Sequence, residues 1–474
     1  MPSLPFREKF FSGLALAGFL CFVAPLSAQD AAPLPLSVRQ ALAAARIPED
    51  AVSIVVQAVD QKTPRISHNA QLSMNPASVM KLVTTYVALG MLGPSASWQT
   101  GFWSEVDADE NERLPGNLYL KGSGDPRLSL EQFWMLLRQL RARGVRHIDG
   151  DLVLDRSHFT LPPHNPAAFD QRPLRAYNVG PDALLVDANA LRFIVRPEGE
   201  QVRFFRITPN DNLEVVTQLV LGKGGCNGWR ERLNFVWREN RLEISGNYPK
   251  SCDEQNLLLA PLSPEAHVRG LFRALWREMG GTLRGRVRTG RVPAEARQLA
   301  TQNSPPLAEI VRDINKWSNN VMARQLLLAL GKRENTPESA VQQAQDWLRA
   351  QGLFFPELTL ENGSGLSRQE RVSAQSLNRM LIHAWQSAVM PEFIASLPIS
   401  AIDGTMQKRL RNTIAAGRAH IKTGSLSGVK TAAGYVQDIH GKRHAVTILI
   451  NHANAAQGEK AADALLLWVV GAED

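Results

Sequence analysis

Three short polar motifs punctuate this chain in a fixed order: Ser78-Val79-Met80-Lys81, then Ser318-Asn319-Asn320, then Lys422-Thr423-Gly424. The first opens an apolar-periodic stretch that begins after Asn75-Pro76 and runs to about residue 92. Proline is tolerated in a first helical turn, where its missing N–H has no helical partner. Ser78 and Lys81 are three residues apart, so a helix brings them onto one face. A serine hydroxyl is a weak nucleophile until a base takes its proton. Lys81 serves as that base only as a neutral amine, which requires burial or a neighbouring cation. Ser78 in the first turn also has free N–H groups and the positive end of the helix dipole beside it, an environment that favours an oxyanion.

The other two motifs complement the first. Ser318, with the Asn320 amide close by, offers a second hydroxyl to relay a proton and a group to hold substrate backbone. Lys422 and Thr423, on a strand predicted over 418–426, can hold a carboxylate. Gly424 has no side chain, which lets a ligand approach the backbone. Each motif alone is weak. Ser427-Gly428-Val429-Lys430 repeats the first pattern, Ser73-Met74-Asn75 and Ser376-Leu377-Asn378 repeat the second, and Arg288-Thr289-Gly290 is one substitution from the third. Only the set of Ser78, Ser318 and Lys422 combines order, spacing and a helix-opening serine.

With 474 residues, 44% of them apolar and 21% charged, the chain is globular and large enough for two or three domains. A strand is predicted over 51–60 and another over 65–72. Between the first and second motifs lies a faint duplication. Leu136 to Leu140 leads to Gly144 and then to strand residues 145–154, and Leu271 to Leu275 leads to Gly280 and then to 281–287. Both copies read as helix, glycine stop, strand, and two such units fit side by side in one small α/β domain. Residues 176–262, between the copies, are rich in short strand-like alternations. The economical arrangement is an insertion within an insertion. The periodicity predicts one long helical run over 307–330, a helix over 374–390, antiparallel strands over 418–426, 430–438 and 443–451, and a closing helix over 457–470.

The net charge of +8 is spread along the chain. This is compatible with an anionic substrate or loose association with a membrane surface, and not with dedicated nucleic-acid binding. Residues 1–28 read as a cleavable signal peptide, with Arg7 and Lys9 ahead of an apolar run over 10–26 and a small-residue end at Ser27-Ala28. A retained anchor is the other reading of that run. Leu20 before Cys21 does not fit a lipidation signal. Export leaves Cys226 and Cys252 in an oxidising compartment, where pairing is favoured over two separate thiols. With no histidine cluster nearby they do not form a zinc site. No metal or cofactor is expected.

The ordered set Ser-x-x-Lys, Ser-x-Asn and Lys-Thr-Gly resembles the signature of penicillin-recognising serine enzymes. The chain is identified as similar to the class C low-molecular-mass penicillin-binding proteins, the D-alanyl-D-alanine carboxypeptidase/endopeptidase group of the penicillin-binding protein 4 type. The resemblance covers nearly all of the mature chain. It includes the long insertion and the strings Lys121-Gly122-Ser123-Gly124-Asp125-Pro126, Ala176-Tyr177-Asn178-Val179-Gly180-Pro181-Asp182, Glu361-Asn362-Gly363-Ser364-Gly365-Leu366-Ser367 and Asp403-Gly404-Thr405-Met406. It implies an α/β (α+β) transpeptidase-like fold with an antiparallel sheet flanked by helices. The catalytic domain would comprise 29–93 and 298–474, an inserted α/β domain 94–175 and 263–297, and a nested β-rich domain 176–262.

By the same resemblance, Ser78 forms an acyl-enzyme, Lys81 accepts its proton, Ser318 and Asn320 serve the leaving amine and the acyl side, and Lys422 and Thr423 bind the terminal carboxylate. Gly424 lines the site, and the N–H groups of Ser78 and Ser425 form the oxyanion hole. The implied partners are peptidoglycan stem peptides, with β-lactams as acylating inhibitors, in the periplasm. No oligomeric state is implied. Asp155, after strand 152–154, is a speculative contact for a substrate ammonium, with a turn carboxylate as the plainer reading. The rival functions are a non-catalytic murein-binding or scaffold protein, and a β-lactamase or esterase of the same fold. A Ser-His-Asp hydrolase is disfavoured because no Gly-x-Ser-x-Gly elbow surrounds Ser78.

Overall fold

The structure, a computed structural model, describes residues 33–331 and 335–471. The expected signal peptide, 1–28, lies outside them. A five-stranded antiparallel sheet runs in the order Ala419–Leu426, Val429–Gln437, Arg443–Asn451, Val52–Ala58, Ile66–His68. The strand near the start of the chain thus pairs along its whole length with one near the end, Val52 opposite Ile450 and Ala58 opposite His444. Successive side chains on a strand point to opposite faces. Val55 accordingly joins the core under the helices Met80–Leu92, Leu307–Trp317, Asn320–Leu328, Pro337–Ala350 and Ala374–Gln386. Ile54 and Val56 join a second core beneath Leu36–Ala44 and Glu459–Gly471. Burial on both faces explains why Arg443–Asn451 reads as an almost continuous apolar run rather than an alternation.

A second five-stranded sheet has the order Val287–Thr289, Leu152–Asp155, Leu118–Lys121, Gln99–Ser104, Arg297–Asn303. Its first three strands are parallel and its last pairings antiparallel. Helices Leu130–Ala142 and Pro264–Glu278 supply its core through Phe133, Leu136, Leu137, Leu271, Phe272 and Leu275. The two sequence-duplicated units lie strand against strand, His147 opposite Thr282 and Leu152 opposite Val287. Gly144 and Gly280, both at positive φ, end the two helices alike. Arg297–Asn303 closes the antiparallel edge of this sheet, so a division drawn at residue 298 runs through one strand. Its sequence, mostly polar because it is an edge, hides that membership.

Between the duplicated units, two three-stranded sheets share a smaller core built on Leu191, Phe193, Leu242, Ile244 and Tyr248. Cys226 and Cys252 are disulfide-bonded there, across a sequence separation of 26. Cys252 sits in that core. A cross-link closing a loop of this length contributes about 3 kcal/mol by constraining the unfolded chain. Replacing both cysteines by serine is therefore expected to lower the unfolding free energy of the β-rich segment by about that amount, read as a lower denaturant midpoint. Equal unfolding curves for the variant and the parent would refute the contribution.

Candidate active site

Ser78 sits in a single 3₁₀ turn, Ala77–Val79, that feeds directly into the helix Met80–Leu92. The turn is held from several sides. Asn75 Oδ1 accepts from Ala77 N at 2.9 Å, and Asn451 brackets Asn75 through bonds of 2.8 and 3.0 Å. Thr431 Oγ1 donates to Pro76 O at 2.7 Å. Ala77 adopts φ +46°, a left-handed conformation that costs a non-glycine residue energy and persists only where neighbours enforce it. Gly365 is one such neighbour. A Cβ there would collide with the Ala77 carbonyl and lie 2.6 Å from Ser78 N.

Lys81 lies one turn beyond Ser78 and is fully buried. Its Nζ is 3.0 Å from Ser78 Oγ and 2.6 Å from Asn320 Oδ1, and it also donates to the Ser364 carbonyl. Burial drives its pKa well below the ordinary lysine value. The nearby Lys422 charge lowers it further, while Glu370 acts in the opposite sense. Lys422 is likewise fully buried, and burial pushes its pKa down to about 7. Its Nζ donates to Ser318 Oγ at 2.9 Å and to the Thr423 carbonyl at 2.7 Å.

The structure breaks the single helical run expected over 307–330. Helix Leu307–Trp317 stops at Ser318, whose φ of +56° is left-handed, and Asn320–Leu328 begins a new helix capped by the Asn319 side chain on Met322 N. The break turns Ser318 toward Lys422 and Asn320 toward Lys81. Apolar periodicity continues across it because both helices bury residues in the same core, so periodicity alone could not reveal it.

Ala419–Leu426 is an edge strand. Ile421 N bonds outward to Pro398 O at 2.8 Å, so the two-residue alternation puts the Thr423 and Ser425 N–H groups on that same open edge. Gly424 lies against the serine turn, where a Cβ would stand 2.9 Å from Ser78 N. Thr423 Oγ1 is 2.9 Å from Thr405 Oγ1. Lys316, whose side chain is only 4% exposed, pairs with Asp403 at 2.6 Å and ties the second motif to the Thr405 segment. Trp317 is 65% exposed beside it. A cavity of about 610 Å³ adjoins the Ser364 loop, lined in part by Leu161, His164, Phe169, Arg324, Asn362 and Arg368.

Eight of the nine residues singled out in the sequence thus fall in one neighbourhood: Ser78, Lys81, Ser318, Asn320, Lys422, Thr423, Gly424 and Ser425. Asp155 does not. It ends a strand of the second sheet, is 2% exposed, and has both oxygens engaged. Oδ1 accepts from Ser157 N at 3.0 Å and Ser157 Oγ at 2.6 Å, and Oδ2 accepts from Val292 N at 2.9 Å. These bonds outweigh burial and hold its pKa below the usual carboxylate value. It thus acts as a turn carboxylate, and the substrate contact read from the sequence remains an expectation. Sequence reasoning missed the Ser364 carbonyl, Thr405 and Thr431. The first is a backbone atom with no side-chain signature, although its loop string was noticed. Among the described residues, no group of His, Cys, Asp or Glu could hold a metal ion, and no helix is long and apolar enough to cross a membrane.

A buried lysine amine against a helix-opening serine, inside this sheet-and-helix fold, defines a serine acyl-transfer site. The chain belongs to the D-Ala-D-Ala carboxypeptidase 3 (S13) family, which matches residues 34–470. It is 30% identical over 418 residues to the D-alanyl-D-alanine carboxypeptidase of Actinomadura sp., covering 83% of this chain and 77% of that one. It is 25% identical over 422 residues to the D-alanyl-D-alanine carboxypeptidase DacB of Haemophilus influenzae, covering 86% of each. Among solved structures, penicillin binding protein 4 from Haemophilus influenzae has a TM-score of 0.74 at 24% identity, over 91% of this chain and 100% of that one. A predatory endopeptidase from Bdellovibrio bacteriovorus has a TM-score of 0.54 at 16% identity, over 89% and 94%.

The packing at Gly424 makes a direct test. Gly424→Ala is expected to displace the Ser78 turn, costing about 1–3 kcal/mol as overpacking does, and to abolish labelling of Ser78 by a fluorescent penicillin. Normal labelling at parental stability would show that the strand does not press on the serine.

Proposed function

We propose that this protein is an exported serine D-Ala-D-Ala carboxypeptidase and D-Ala-diaminopimelate endopeptidase that trims peptidoglycan stem peptides and cross-links. The observation that carries the reading is the environment of Lys81. A neutral amine has two N–H groups and one lone pair. Asn320 Oδ1 and the Ser364 carbonyl take the two hydrogens, which leaves the lone pair for the Ser78 hydroxyl at 3.0 Å. Burial, and after it the neighbouring Lys422 charge, lowers the pKa of the amine and favours its neutral form.

In this mechanism Ser78 Oγ attacks the carbonyl of the penultimate D-Ala while its proton passes to Lys81. The Ser78 and Ser425 N–H groups stabilise the oxyanion as charge develops. Ser318 delivers a proton to the departing amine and is replenished by the proton that Lys81 took from Ser78, while Asn320 steadies the acyl side. Lys422 and Thr423 bind the carboxylate of the departing residue, whose arrival favours the charged form of Lys422. Gly424, having no Cβ, lets the strand that carries Lys422 and Thr423 lie directly against the Ser78 turn. Water then attacks the ester and releases the shortened peptide. A β-lactam would acylate Ser78 by the same path and leave slowly. The endopeptidase half draws support from the fold shared with the Bdellovibrio endopeptidase and uses the same acyl-transfer site. A cell-wall substrate places the enzyme outside the cytoplasm, and export to the periplasm would follow from cleavage after Ala28. Asp155 has no part in the scheme.

Intact-mass spectrometry with benzylpenicillin, run beside Ser78→Ala, tests the reading. One drug molecule should add to the parent and none to the variant. Purified muropeptides should then lose terminal D-Ala, and cross-linked dimers should become monomers. Absence of any adduct on folded protein, with the drug left unhydrolysed, would overturn the proposal. Trimming of monomers without cleavage of dimers would remove its endopeptidase half. Ser318→Ala should lower kcat by about 10²–10⁴-fold, the usual weight of a positioned proton donor, and an unchanged kcat would exclude it from that role.

A further inference from the structure

Glu370 is a fully buried carboxyl beside the site that the mechanism above does not use. Its Oε1 accepts from three successive backbone N–H groups, Glu361 at 3.3 Å, Asn362 at 3.1 Å and Gly363 at 2.8 Å. Its Oε2 is buried with no hydrogen-bond partner. An arrangement of three donors converging on one oxygen fixes the path of a loop far more tightly than one bond would. Its own backbone is anchored too, since Glu370 N donates to Ser367 Oγ at 3.1 Å.

The loop so held is the one that serves Lys81. Directly after the three clamped N–H groups come Ser364, whose carbonyl accepts from Lys81 Nζ, and Gly365, which packs on the Ala77 carbonyl and Ser78 N. Gly363 and Gly365 both sit at positive φ, +69° and +77°, the conformations this tight reversal requires. A second tie comes from the nucleophile helix, where Thr84 Oγ1 donates to Gly363 O at 2.7 Å. Asn362 Oδ1 stiffens the turn by accepting from Ser364 N at 3.0 Å and Ser364 Oγ at 2.6 Å. With one amine hydrogen on Asn320, the direction of the Ser364 carbonyl decides where the lone pair points.

We infer that Glu370 is a positioning residue for acylation: it clamps the 361–363 backbone so that the Ser364 carbonyl orients the Lys81 lone pair onto Ser78. The clamp works by reach and acceptor geometry rather than by charge. An anion at this position favours the protonated form of Lys81, the wrong state for a base. Burial raises the Glu370 pKa against the pull of its three N–H bonds.

The inference rests on Lys81 acting as the base for Ser78, and two variants separate it from that reading. Glu370→Gln keeps the length and an acceptor oxygen but cannot carry a charge. Glu370→Asp keeps the charge but is one methylene too short. The readout is the acylation rate constant at saturating benzylpenicillin, separated from non-covalent affinity by stopped-flow competition with a fluorescent penicillin. Positioning predicts that Glu370→Gln stays within roughly threefold of the parent, while Glu370→Asp falls on the order of tenfold to a hundredfold, the scale of an ångström-sized misplacement, with affinity unchanged in both. The reverse order, Gln slow and Asp fast, would show that charge matters and overturn the inference. Parental rates in both, even with lowered melting temperatures, would make Glu370 merely structural and overturn it equally. Should Glu370→Asp not fold, Thr84→Val removes the other tie on the same loop and must slow acylation without changing affinity. A parental rate there would count against the inference. Failure of the parent itself to acylate would instead defeat the proposed function.

Discussion

The site depends on removing Lys81 from water. A lysine amine in solution is protonated at neutral pH and useless as a base. Fully buried, with a second buried lysine nearby, the same group is held toward its neutral form. The rest of the site aims that amine at Ser78, although the Glu370 charge pulls the other way. The two acceptors on Nζ take the amine hydrogens, the strained Ala77 turn brings Ser78 Oγ within reach, and Gly424 and Gly365 let the third-motif strand and the Ser364 loop close over the lysine without side chains in the way. The cost of burying an amine is met by satisfying it with hydrogen bonds, as buried polar groups require.

The architecture explains how residues so distant in sequence converge. Pairing of Val52–Ala58 with Arg443–Asn451 ties the chain's beginning to its end. The 3₁₀ turn and the helix that follow the first pairing carry Ser78 and Lys81 in turn, and the strand order brings Lys422 to the open edge beside them. The second sheet and its β-rich insertion leave and return between Leu92 and Leu307 without disturbing this frame. They also touch the site's support. Gln325 exchanges bonds of 2.8 and 2.7 Å with the Asp182 backbone, and Arg324 donates to Val179 O at 2.7 Å. The helix that starts at Asn320 is therefore bolted to the inserted segment.

Much of this was legible in residues. Ser78 with Lys81, Ser318 with Asn320, and Lys422 could be read because their chemistry resides in side chains at fixed spacings, and the duplicated units could be read from the repeated helix, glycine, strand order. What escaped has physical reasons. The break at Ser318 lies inside an unbroken apolar periodicity, because the helices on either side bury residues in the same core. The Ser364 carbonyl is backbone, and the Glu370 clamp acts through a turn whose geometry follows from positive φ at Gly363 and Gly365. At Asp155 the sequence left two readings open, because a carboxylate that ends a strand looks the same whether it faces a ligand or caps its own turn.

The most direct test of the central claim is the pH dependence of Ser78 acylation in the parent and in Lys422→Met. A neutral base works above its pKa, so the rate should rise with pH along a limb well below about 10.4, the free lysine value. Removing the neighbouring cation should move that limb toward higher pH. A limb in the ordinary lysine range, or one that stays put when Lys422 is removed, would contradict the account.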